Sequence, residues 1–154
     1  MNFAKLLTPQ AVKVLSSTTS KKRLITELGD LAQSNYGLDA SKVVEALLAR
    51  EALGPTGVGR GVALPHARIE GIDEVVGLFV LLEKPVDFGA VDRLSVDITF
   101  ALFAPVDAGV EHLKALALVS RTLRDASICA KLRANLSADT LYTILTEAEA
   151  VKAA

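Results

Sequence analysis

Only two histidines occur in the sequence, and one of them, His66, lies in an unusual setting: GPTGVGRGVALPHAR, residues 54–68, packs four glycines and two prolines around it. A neutral imidazole nitrogen is a competent nucleophile and ligand near pH 7. Pro65 fixes its own φ and pushes Leu64 toward an extended conformation, so the sequence predicts His66 at a stiff strand end, with Arg68 two residues beyond it. The alternative is a histidine that merely caps the strand. The second histidine, His112, follows Gly109 in the sequence GVEHLK, in the first turn of a predicted helix, where it is either a partner for His66 or a surface residue. Two histidines without a usable cysteine make a poor transition-metal set unless carboxylates complete it, so neither metal nor other cofactor is implied. The lone Cys129 allows no intramolecular disulfide and reads as a small buried hydrophobe.

The glycines fit none of the familiar phosphate loops. From Gly54 to Gly59 the spacing fits the start of a Walker A loop, but Arg60 and Gly61 stand where Lys and Ser or Thr belong. A dinucleotide fingerprint on Gly57 and Gly59 needs a third glycine at Val62, and no helix follows either run. A nucleotide site is therefore not expected. Instead, Gly57, Gly59 and Gly61 recur at period two, which predicts an extended VGRGVAL segment with one bare face open to close backbone approach.

The elements that must hold these residues follow from periodicity. Thr8 and Pro9 predict an N-cap and first helical position, opening a short helix that ends in SSTTS. A second helix runs through KKRLITELGDLAQSNYG, with Leu24, Leu28 and Leu31 at helical spacing and Gly37 as a left-handed stop. A third begins near Asp39, with Val43, Val44, Leu47 and Leu48 as its apolar stripe and Arg50 away from the stripe's centre. Strands are predicted in VGRGVAL, EVVGLFVLL and LSVDITFALFA, all too apolar for surface strands. Helices return in VEHLKALALVSRTLRD and ASICAKLRA, and a last one starts near Ser137. Helices, then strands, then helices predict a three-layer α/β sandwich, a central sheet covered on both faces.

At 154 residues the chain has the size of one domain, 1–154. About half of it, 51%, is apolar, and 17 Lys and Arg nearly balance 18 Asp and Glu for a net charge of −1, which argues against a nucleic-acid partner held by phosphate neutralisation. The N-terminal MNFAKLLTPQAVKV lacks an export signal. The apolar stretch Ile98 to Val106 falls well short of the ~20 residues of a membrane helix, so a cytoplasmic location is expected.

In order, AREALGPTGVGRGVALPHAR, PVDFGAVD and ALFAPVDAGVEHLKALALVSRTLRD resemble the mannitol/fructose-type IIA domains of the bacterial phosphoenolpyruvate-dependent phosphotransferase system, and among these the nitrogen-regulatory branch. The resemblance runs from roughly Leu6 to Thr146. It implies a phosphotransferase component of mainly regulatory role, in which His66 accepts a phosphoryl group from a histidine phosphocarrier protein. It also implies that Arg50 is the active-site arginine, that His112 is the second active-site histidine, and that the partners include regulatory targets such as kinases or transporters. A sugar-specific IIA passing phosphate to a IIB partner is the alternative, and a binding module that is never phosphorylated is a third. Arg60 and the Ala67-Arg68 pair depart from the common pattern, with Arg60 expected on the rim met by the phosphocarrier and Arg68 either a second cation near the phosphate or a solvated loop residue. Asp87, Asp92 and Asp107 are expected to shape turns, and Leu64 and Leu113 to limit water access.

Overall fold

The protein is described from a computed structural model covering residues 1–153, with side chains through residue 148. Its frame is a six-stranded mixed sheet. The two long strands, β5 (Val76–Val86) and β6 (Val96–Pro105), pair antiparallel at the centre and are the apolar runs the sequence offered as buried strands. Edge strand β1 (Val12–Leu15) runs parallel to β5. On the other side of β6 lie β3 (Val62–Ala63) and β4 (His66–Ile69), both parallel to it, with β2 (Gly57–Gly59) antiparallel to β3.

Side chains alternate along a strand, so neighbours on β6 face opposite layers. Phe100 meets Phe3 of α1 (Phe3–Leu6) edge-on at 5.6 Å between ring centroids, and Phe79 at 6.3 Å. From the opposite face Asp97 meets Arg133 of α5 (Ala126–Arg133), Nη2 to Oδ1 2.9 Å. Helices thus cover both faces, as the α/β sandwich expectation requires. Gly77 permits the Phe100 packing, because a Cβ there would lie 2.6 Å from Cε1 of that ring.

Helix α2 (Lys21–Tyr36) is capped by Ser20 and stops at Gly37, φ 69°, as the sequence predicts. Helix α3 (Ala40–Ala52) starts where the Asp39 carboxylate accepts the amides of Ser41 and Lys42. Of its predicted stripe, Val43 and Leu47 are buried and Val44 is half-buried, but Leu48 is exposed. Helices α4 (Val110–Leu123), α5 and α6 (Ala138–Ala153) match the three predicted near the C-terminus.

Three expectations are corrected. Thr8 and Pro9 open only a 3₁₀ turn, Pro9–Ala11, after which β-branched Val12 and Val14 join the sheet edge opposite Phe79 and Leu81. The glycine segment is not one extended strand. Gly59 pairs with Val62 across a two-residue loop, Arg60-Gly61, in which both residues have positive φ (58° and 79°), the combination a tight antiparallel hairpin requires. Asp92 stabilises that turn by accepting the Arg60 amide at 2.8 Å. Close approach survives at Gly57, where a Cβ would sit 2.9 Å from the Cβ of Ala90, and at Gly61, where it would sit 2.7 Å from Nη2 of Arg133. Finally, pairing does not end at Pro65: the Pro65 carbonyl accepts Leu102 N at 2.9 Å, and His66 opens β4 opposite Leu102.

Candidate active site

His66 stands at the first residue of a strand stiffened by Pro65, so its ring position is set by the sheet and its orientation by local bonds. Nδ1 lies 2.8 Å from the Leu64 carbonyl. A carbonyl oxygen only accepts, so Nδ1 carries the proton and Nε2 the lone pair. That lone pair receives the Arg50 Nε–H at 3.3 Å. Arg50 comes from the last turn of α3, and its Nη1 donates to the Gly54 carbonyl at 2.9 Å, which fixes the guanidinium plane beside the imidazole. Half-buried His66 therefore presents one basic nitrogen toward a fixed cation.

The third residue of α4, His112, meets the His66 ring edge-on, 5.7 Å between centroids. The surface alternative for it is overturned: it is only 7% exposed, and its Nε2 has no hydrogen-bond partner among the described residues. Burial pushes its pKa below the ordinary histidine value, and the neighbouring His66 and the Arg68 cation act in the same direction, so His112 is neutral at pH 7. The positive end of α4 acts in the same direction.

Arg68 lies on β4 rather than in a loop, and it is exposed. Its Nη1 donates to the carbonyls of Val106 (3.0 Å) and Ala108 (2.6 Å), tying β4 to the segment that begins α4. Arg60 is remote from the His66 rim. Two residues beyond it, Val62 pairs with Ile98 while His66 pairs with Leu102, about 13 Å farther along β6 at the usual strand rise. Leu64 is buried beside the site, whereas Leu113 is 68% exposed. Asp87 and Asp92 do shape turns, accepting the amides of Gly89 and Leu94.

One group of residues at the site escaped sequence reasoning. The Glu51 carboxylate, with its side chain 6% exposed, accepts from Lys21 Nζ at 2.8 Å, from the Thr56 amide at 3.0 Å and from the Thr56 hydroxyl. Lys21 also donates to the Phe88 carbonyl at 3.2 Å and lies over its ring. Glu51 beside Arg50 was the available signal, but its partner Lys21 is on another helix and periodicity does not connect them. A cleft of about 580 Å³, lined by Lys5, Glu74, Asp107, Gly109 and Glu111 among others, includes none of Arg50, His66 and His112. Of the two histidines, His66 is half-buried and His112 buried.

A mixed α/β sandwich presenting an arginine-paired histidine at a strand end defines a class of protein, and comparison identifies the family. Residues 5–148 match the family described as phosphoenolpyruvate-dependent sugar phosphotransferase system, EIIA 2, and the chain belongs to it. It is 42% identical over 145 residues to the nitrogen regulatory protein of Bradyrhizobium diazoefficiens, covering 94% of this chain and 95% of that protein. The nitrogen regulatory protein of Escherichia coli K12 is 44% identical over 131 residues, covering 84% and 80%. Among solved structures, nitrogen regulatory protein IIA-Ntr from Neisseria meningitidis superposes with a TM-score of 0.83 at 39% identity, covering 90% of this chain and 95% of that one. The chain is thus a nitrogen-related IIA protein of the phosphotransferase system, a phosphotransfer component by family. No helix among the described residues is long and apolar enough to cross a membrane.

Proposed function

We propose that His66 Nε2 is the phosphoryl acceptor, charged by a phosphohistidine on a histidine phosphocarrier protein, and that the protein acts as a regulatory switch through the two surfaces thus produced. The observation that carries this reading is the orientation of one ring: Nδ1–H bound to the Leu64 carbonyl and Nε2 turned toward Arg50. In the transfer, the Nε2 lone pair forms the new N–P bond while the donor's P–N bond breaks, its electron pair returning to the donor imidazole. The proton stays on Nδ1, where the Leu64 carbonyl stabilises the positive charge that the ring acquires. Arg50 releases Nε2 as the phosphoryl group arrives and donates instead to its oxygens, two at a time, a geometry suited to a guanidinium. The unpartnered Nε2 of His112, when it carries the ring's proton, donates a further hydrogen bond.

Around these groups the surface fits a protein donor. Leu53 just beyond α3 is 85% exposed, and Val110 and Leu113 on α4 are 62% and 68% exposed, apolar contacts on the elements that carry Arg50 and His112. Intact-protein mass after incubation with phosphoenolpyruvate, Enzyme I and the phosphocarrier, beside His66→Ala, tests the reading. Addition of one acid-labile phosphoryl group, absent in the variant, is expected. No addition with active donors would contradict it and leave a binding module. Onward transfer to a sugar-specific IIB protein would make this a transport component rather than a switch.

A further inference from the structure

Both reacting side chains hang from one short piece of backbone. Gly54 O holds Arg50 Nη1 at 2.9 Å. Two residues on, Thr56 O accepts the Leu64 amide at 3.0 Å, and Leu64 O in turn receives the His66 Nδ1 proton at 2.8 Å. The segment 54–56 therefore sets where the guanidinium sits and which nitrogen of His66 is basic. It has little regular structure of its own: it links the end of α3 to β2, and Gly54 has φ 149°. Its anchor is a side chain, the Glu51 carboxylate, which takes both the amide and the hydroxyl of Thr56. Glu51 is itself held by Lys21, whose ammonium is fixed between Glu51 Oε1 and the Phe88 carbonyl and lies 4.5 Å from the Phe88 ring centroid.

We propose that the Lys21–Glu51–Thr56 clamp is a positioning device for phosphotransfer: Glu51 and Thr56 touch neither acceptor nor phosphoryl group, but fix the 54–56 segment that orients Arg50 and selects the Nδ1–H tautomer of His66. A carboxylate suits this role because it accepts from three donors at once, which neither an amide nor a hydroxyl in its place can do. Placing the anchor on α3, one residue after Arg50, makes the arginine and its carbonyl partner move as one body. An imidazole of free tautomer would spend part of its time with the lone pair on Nδ1, the wrong nitrogen for a group arriving beside Arg50. A misplacement of about 1 Å in such a site costs up to roughly a hundredfold in rate.

The kinetic part of this inference rests on His66 as the acceptor; the tautomer part does not. Full-length Glu51→Gln and Thr56→Val proteins are to be compared with wild type in two measurements. Ring ¹⁵N spectra of the unphosphorylated proteins report the His66 tautomer. Steady-state transfer from the phosphorylated phosphocarrier gives kcat and KM. The expected result is a single Nδ1–H tautomer in wild type, a mixture in both variants, and a fall in kcat of about tenfold or more with KM for the phosphocarrier unchanged. Thr56→Ser, which restores the hydroxyl, returns both readouts toward wild type. Folded variants that keep the single tautomer and the wild-type kcat would overturn the proposal, and so would a loss carried by KM alone, which would place Glu51 in docking. Should Glu51→Gln fail to fold, Thr56→Val read against Thr56→Ser decides the matter on the same two readouts. A wild-type protein that takes no phosphate would contradict the acceptor reading instead, with the tautomer comparison still deciding the clamp.

Discussion

At Arg50 the side chain has two tasks, and they set what a substitution does. Its Nε faces the His66 lone pair and its Nη1 is bound to Gly54 O, so its position is fixed from two sides. Lysine in its place keeps the charge but loses the fork. Arg50→Lys is expected to lower the phosphorylation rate by roughly ten- to a hundredfold, measured by rapid quench from the phosphorylated phosphocarrier; an unchanged rate would remove the guanidinium from the mechanism. His112 carries a prediction in pH. Its folded-state pKa lies below the ordinary value of 6.5, so in the window just below 6.5 the unfolded chain binds a proton that the folded one refuses. Stability therefore rises with pH through that window, is complete above it, and is lost as pH falls. His112→Gln should flatten the dependence of urea-unfolding free energy on pH below 6.5, and a variant with the wild-type slope would show that His112 is not the group responsible.

Elements that depend on local signals were legible in the sequence, and those that depend on distant partners were not. The Ser20 cap, the leucines of α2 and the Gly37 stop all lie within one helix, and the strands of β5 and β6 announce themselves by continuous apolarity. Strand β1 is four residues long and owes its existence to β5, whose paired residues lie 67 positions later, so the helix-start signal at Thr8-Pro9 is overridden. The hairpin at Arg60-Gly61 hid behind a period-two glycine pattern because the left-handed arginine is stabilised by Asp92, again far along the chain. The site follows the same rule. Pro65-His66 was readable, the burial of His112 required the placement of α4, and the Lys21–Glu51 pair spans two helices. At the hairpin, Gly57 does not have a positive φ, so its constraint is contact with Ala90 alone. Gly57→Ala is expected to destabilise the protein by about 1–3 kcal/mol in urea unfolding, as overpacked sites do. An unaffected midpoint would show that the 87–92 turn gives way freely.

For the whole molecule, the arrangement is a rigid sheet end carrying a histidine, flanked by two helix termini with exposed apolar side chains. With the proton kept on Nδ1, the proposed phosphoryl group would place about −2 on its oxygens against +1 on the ring, a net change of about −1 that would alter the surface offered to partners without requiring the core to move. Leu113 is exposed one residue beyond His112, and the proposed function would assign it to that surface and not to the chemistry. Leu113→Asp is expected to raise KM for the phosphocarrier about tenfold, a loss typical of one good interface contact, with kcat retained; a fall in kcat alone would place it in the active site instead. The phosphorylated nitrogen itself is read out by one spectrum. In a ¹⁵N-histidine sample phosphorylated through the phosphocarrier, long-range ¹H–¹⁵N correlation with ³¹P coupling identifies the modified nitrogen. The tautomer fixed by Leu64 and Arg50 predicts phosphorus on Nε2 of His66 with the proton retained on Nδ1. Phosphorus on Nδ1 of His66, or on His112, would contradict the account.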